Sequence, residues 1–134
     1  MNYEGVGLHI GQDDTPAREA RERIGPHRIL GLSTHSAEQA QEAMNLGADV
    51  LSYFAVGPLF ATQTKPDYTP IGLELATWVA QENPDLPYFC IGGINRANAQ
   101  QVRDTGARRV VTVSDVLLAE DTATAVKETL NYFA

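Results

Sequence analysis

The sequence predicts an α/β protein built on a parallel sheet. Short apolar runs alternate with helix-period segments along all 134 residues, and the spacing leaves about 27 residues per repeat, which suits a strand, a loop and a crossover helix. A Gly-Ala pair recurs at Gly47-Ala48 and Gly106-Ala107, each time just before a new apolar run. Five strand and helix units follow from these observations. No linker or charge block divides them, so residues 1–134 form a single domain.

The predicted strands are residues 6–10, 28–32, 50–56, 88–91 and 109–113, each rich in Ile, Val, Leu or aromatics and too short for a helix. Between them, apolar residues fall three and four apart. Ala17, Ala20 and Ile24 mark the first helix, Ala37, Ala40 and Met44 the second, Leu75, Ala76 and Val79 the third, and Val126, Leu130 and Phe133 the last. Thr15 and Pro16 suit a helix start, as do Ser36 with Gln39 three residues on, Asn95 and Asp121. Gly25, Gly47 and Gly106 suit helix ends, where a left-handed residue closes the last turn.

Ten Lys and Arg against seventeen Asp and Glu give a net charge of -7, the wrong sign for a nucleic-acid or anionic membrane surface. The 43% apolar content excludes a disordered tail. The single cysteine, Cys90, has no intramolecular disulfide partner, and the first twenty residues hold no signal-peptide or spanning run. A cytoplasmic location is the expectation. Any anion must be held locally.

Parallel sheets gather ligands at the carboxyl ends of their strands, both in open doubly wound folds and in (βα)8 barrels. Length favours the open sheet, and the strand-end loops must arbitrate. The first ends in Gly11-Gln12-Asp13-Asp14, where carboxylates either complement a helix N-terminus or supply hard oxygen ligands for Mg²⁺. Ser33, Thr34 and His35 close the second strand, and spacing alone makes His35 structural rather than catalytic. The third loop, from Gly57 to Asp67, carries Thr62, Thr64 and Lys65, two hydroxyl donors beside a mobile ammonium, a set suited to phosphate or diphosphate. Gly92 and Gly93 end the fourth strand and Ser114 follows the fifth. Each precedes a helical segment, where backbone N–H groups can meet an anion.

In this order, the words GLHIGQDD, GLSTHS, GAD, VGPLFATQTKPD, IGGIN and VS resemble the thiamine phosphate synthase family, from about Gly5 to near the carboxyl end. That resemblance implies a partial (βα)8 TIM barrel comprising the last five βα units, the barrel being incomplete in this chain. The first three units, which carry the pyrimidine-binding residues and a second Mg²⁺-ligating Asp, have no counterpart here. It implies transfer of a hydroxymethylpyrimidine group from its diphosphate to thiazole phosphate, releasing pyrophosphate with Mg²⁺. It assigns Asp14 to the metal, and Ser33, Thr64 and Lys65 to the diphosphate and the reacting groups. Thr62 falls toward the thiazole phosphate, which backbone at Gly92, Gly93, Val113 and Ser114 would hold. Compared with the family pattern, the chain is about three residues longer around residues 50–54, at the strand entry.

Two other functions compete within the same fold. A thiazole tautomerase-like paralogue shares the phosphate site but has no diphosphate to clamp, which the Thr62 to Lys65 run argues against. A truncated, non-catalytic phosphate-binding remnant is the other. A receiver domain fails because Gly57-Pro58 stands where its phosphoacceptor Asp belongs, and Ser114 where its Lys belongs. Five strands cannot close a barrel built for eight, so the edge strands call for a homo-oligomer, for a missing N-terminal segment, or for rearrangement into a doubly wound sheet.

Overall fold

The computed structural model describes residues 5–62, 67 and 69–134. Five strands, β1 (Leu8–Ile10), β2 (Leu30–Thr34), β3 (Tyr53–Val56), β4 (Tyr88–Ile91) and β5 (Val110–Val111), form one sheet in which every neighbouring pair is parallel. Their spatial order is the chain order, β1-β2-β3-β4-β5. A doubly wound sheet reverses direction partway across, so that rearrangement is excluded. The sheet is an open arc of a (βα)8 barrel, with β1 and β5 as its edges.

The helices are α1 (Ala17–Ile24), α2 (Ala37–Leu46), α3 (Gly72–Glu82), α4 (Ala99–Asp104), the single turn α5 (Ser114–Leu117) and α6 (Thr122–Phe133). They cover one face of the arc. Ile10, Leu30, Leu32, Phe54, Val56 and Cys90 point into that side and are buried, packed against Ala20, Ala40, Ala43, Ala76 and Val79. Alanines at the helix contacts let the backbones lie close to the sheet. Phe54, fully buried and stacked on Tyr88 at 5.8 Å, centres this core. Thr34 is also fully buried on this side, and its hydroxyl donates to Ala55 O at 2.8 Å.

Local signals act largely as the sequence implies. Ser36 Oγ accepts from Gln39 N, and Gln39 Oε1 accepts in return from His35 N at 2.8 Å, so both partners fix the start of α2. Asp121 caps α6 through Thr124 N. Gly25 and Gly47 end α1 and α2 with positive φ, and Gly106 follows the end of α4 at φ 98°.

Four expectations need correction. Pro16 itself occupies the cap position of α1 and no side chain caps that end, because Ala17 is the first helical residue. Asn95 closes its own turn, accepting from Ala97 N and Asn98 N, and Asn98 takes the position before α4. The third strand begins at Tyr53: Val50 and Leu51 donate instead to Gly47 O in a turn, with both side chains buried. On α6 the buried positions are Ala125 and Thr129, whereas Val126 and Leu130 are exposed at 40% and 60%. The strand limits expected at 6–10, 28–32 and 109–113 shift by two residues or fewer at each end, which leaves β5 only Val110 and Val111.

Candidate functional site

The opposite face of the arc, which no helix covers among the described residues, leads to the site. Parallel register sets His9, Gly31 and Tyr53 at one level, with Ser33, Ala55 and Phe89 at the next. Gly31 is required here. A Cβ on it would lie 2.2 Å from Tyr53 Cζ and 2.6 Å from His9 Nδ1, so only glycine lets those two side chains meet across β2. His9 Nδ1 and the Tyr53 hydroxyl are 2.8 Å apart, and His9 Nε2 lies 2.8 Å from Ser33 Oγ.

Above this level the strand-end loops enclose a cavity of about 650 Å³. Asp14, Ser33, Thr62, Gly92, Gly93, Val113 and Ser114 all line it, together with His9, Gln12, Asp13 and His35. The structure therefore brings together every described residue that the sequence picks out. Thr64 and Lys65 lie outside the described residues.

Each loop is tied to its neighbour. Gln12 Nε2 donates to Ser33 O at 2.7 Å, joining the first loop to the second. His35 Nδ1–H donates to Gly57 O at 2.7 Å, joining the second to the third. The third rests on the fourth through Leu59 N to Ile91 O and Phe60 N to Gly92 O. This contact is close enough to require glycines, because a Cβ on Gly92 would sit 2.5 Å from Pro58 Cα, and one on Gly93 2.5 Å from Ala61 O. In a trans peptide the N–H opposes the C=O, so these bonds turn the N–H groups of Gly92 and Gly93 away from Leu59 and Phe60. The fourth loop meets the fifth where Arg96 N and Nε both donate to Asp115 Oδ2.

Asp14 Oδ2 accepts from Gly11 N at 2.7 Å, which folds the carboxylate back against the end of β1. Among the described residues no group of three or more His, Cys, Asp or Glu could hold a metal ion. What the cavity wall does offer is the Asp13 and Asp14 carboxylates, hard oxygen donors of the kind Mg²⁺ takes.

Sequence reasoning missed His9, Tyr53 and Gln12. A signal existed: His9 and Ser33 each interrupt an apolar run near the end of consecutive strands, and register places such residues on one face.

A sequential parallel arc with a cavity at the carboxyl ends of its strands defines a partial (βα)8 barrel protein, the cavity lying at the barrel mouth where such folds collect ligands. A family model described as thiamine monophosphate synthase matches residues 1–116. The chain belongs to that family. It is 46% identical over 121 residues to the thiamine-phosphate synthase of Acidothermus cellulolyticus, covering 90% of this chain and 56% of that protein. With the thiamine-phosphate synthase of Synechococcus sp. (strain WH7803) it shares 44% identity over 127 residues, 93% of this chain and 34% of that protein. The thiamine phosphate pyrophosphorylase from Pyrococcus furiosus superimposes with a TM-score of 0.80 at 35% identity, covering 95% of this chain and 58% of that one. The chain thus spans between about a third and three fifths of the length of these relatives.

Proposed function

We propose that this chain carries the diphosphate and phosphate loops of a thiamine phosphate synthase, which transfers hydroxymethylpyrimidine from its diphosphate to thiazole phosphate. The supporting observation is the convergence of Ser33, Thr62, Gly92, Gly93, Val113, Ser114 and Asp14 on one cavity. In the proposed reaction the bond from the benzylic-type carbon to the diphosphate oxygen breaks, its electron pair leaves on pyrophosphate, and the thiazole ring nitrogen supplies the pair for the new bond to that cation-like carbon. Negative charge grows on that leaving group, so donors aimed at it accelerate the step. Ser33, Thr64 and Lys65 are assigned to that charge. Thr62 and the backbone of Gly92, Gly93, Val113 and Ser114 are assigned to the thiazole phosphate. Mg²⁺, held by Asp14 and the diphosphate, would neutralise charge on the departing oxygens.

The open edges β1 and β5 are where further parallel strands would complete the barrel, supplied by a separate segment of three βα units or by a second copy of this chain. Small phosphate and diphosphate molecules are the proposed partners, with nucleic acid disfavoured by the net charge of -7. Among the described residues no helix is long and apolar enough to cross a membrane, and the cytoplasm is the proposed location.

The test is complementation. Co-expression with the first three βα units of the Pyrococcus furiosus relative is expected to give thiamine phosphate and pyrophosphate only when both substrates are present. A stable complex that forms neither product overturns the proposal.

A further inference from the structure

The open face holds a chain of three polar side chains, only two of which line the cavity. His9 and Ser33 do; Tyr53 stands behind them, its ring edge-on to Phe89 at 5.4 Å and 75°. We propose that Tyr53 and His9 are positioning residues that fix the direction of the Ser33 hydroxyl: Tyr53 O–H donates to His9 Nδ1, His9 Nε2–H donates to Ser33 Oγ, and the Ser33 proton is left for an anionic oxygen in the cavity. The identity of that anion, the diphosphate, rests on the function proposed above.

The donor order follows from competition for one lone pair. A neutral imidazole has one N–H and one acceptor nitrogen, yet His9 stands between two hydroxyls at equal distances of 2.8 Å. One hydroxyl must donate to the ring and the other must accept from it. A phenol is the more acidic O–H and the stronger donor, so the lone pair goes to Tyr53 and the ring N–H to Ser33. Burial pushes the Tyr53 phenol above its ordinary range, which keeps that proton in place at neutral pH.

The arrangement has a structural cost that makes accident a poor explanation. Gly31 leaves open the space through which Tyr53 reaches His9, at a strand position fully buried by its neighbours, where a side chain would otherwise contribute packing. With Oγ occupied as an acceptor, Ser33 is a one-directional donor. Its value to a bound anion is orientation rather than charge. Tyr53 therefore acts on the ligand only through His9, at a remove that substitution can reveal.

The experiment uses the full chain labelled with ¹⁵N-histidine, and inorganic pyrophosphate with Mg²⁺ as the probe. At pH 8, above the ordinary imidazole range, two-bond ¹H–¹⁵N correlation is expected to place the His9 proton on Nε2. Tyr53→Phe, which deletes one hydroxyl, is expected to mix the two tautomers and weaken pyrophosphate binding about fivefold, in line with the loss of one oriented hydrogen bond. In a Ser33→Ala background the same change is expected to have no further effect on binding. A proton found on Nδ1 overturns the proposal. So does a Tyr53→Phe effect of equal size with and without Ser33. If the unaltered chain shows the Nε2 proton but binds no pyrophosphate, the donor order stands and the diphosphate assignment falls.

Discussion

Arg96 joins the fourth and fifth strand-end loops through a single oxygen: its backbone N–H and its Nε both donate to Asp115 Oδ2, each at 3.1 Å. The outer end of the same guanidinium reaches Glu128 Oε2 at 2.5 Å, on α6. The inner pair is the more enclosed, with Asp115 at 19% side-chain exposure and Glu128 at 50%, so water screens the inner contact less. Asp115→Ala is expected to weaken thiazole phosphate binding about fivefold, because Gly92 and Gly93 lose their fixed relation to Ser114, with roughly 1 kcal/mol at stake. Glu128→Ala is expected to change affinity by less than about twofold. Isothermal titration of the two variants decides, and equal losses would contradict the coupling.

Gly93 combines φ +60° with an approach that leaves no room for a side chain. Gly93→Ala is therefore expected to cost about 2 kcal/mol, from backbone strain and the displaced third loop, and to remove thiazole phosphate binding. Gly93→Asp adds negative charge and is expected to do the same more severely. Gly25 also has positive φ, but nothing lies within 4 Å of a Cβ there. Gly25→Ala should cost about 2 kcal/mol through backbone strain alone, since φ 82° with ψ 176° is a conformation open essentially to glycine, and should leave affinity intact. Chemical denaturation paired with calorimetry separates the two effects.

How far the sequence reveals such a site depends on how local the cause is. The start of α2 is readable because Ser36 and Gln39 are three residues apart and cap each other's turn. The cavity residues are readable because parallel strands deliver their loops to one end. His9 with Tyr53 is not, because 44 residues separate them and their contact depends on an absent side chain at Gly31. The buried face of α6 is hidden for a related reason: Val126 and Leu130 have the right period, but α4 and α5 pack on the face that carries Ala125 and Thr129. Period finds a stripe without saying which neighbour covers it.

Asp14 offers a test of the metal assignment that leaves the fold alone. Asp14→Asn retains a side-chain oxygen able to accept from Gly11 N–H while removing the charge. Mg²⁺ is expected to tighten pyrophosphate binding at least about tenfold in the unaltered chain and not in the variant, since a carboxylate is the harder ligand. Binding of phosphate without metal should be the same in both. Titrations with and without Mg²⁺ check this, and a retained metal effect would remove Asp14 from the assignment.

Cys90 lies fully buried on β4, and burial pushes its thiol from an ordinary value near 9 up to about 12. The folded chain therefore keeps a proton that the unfolded chain releases. Since the native state binds more protons between those values, unfolding becomes easier as pH rises. The thiol's contribution is full below pH 9 and is lost progressively between 9 and about 12. Native protein at pH 8 should resist thiol alkylation over hours and react promptly in denaturant. Rapid native labelling would place Cys90 in a locally opening segment instead.

In the proposed function the backbone at the ends of β4 and β5 holds the phosphate of the acceptor substrate, and amide chemical shifts read that backbone directly. Titration of the ¹⁵N-labelled chain with thiazole phosphate is expected to shift the Gly92, Gly93 and Ser114 amides together, saturably and with one dissociation constant. Those three amides should move downfield as they donate to the anion. Saturable binding that leaves all three unmoved would contradict the account.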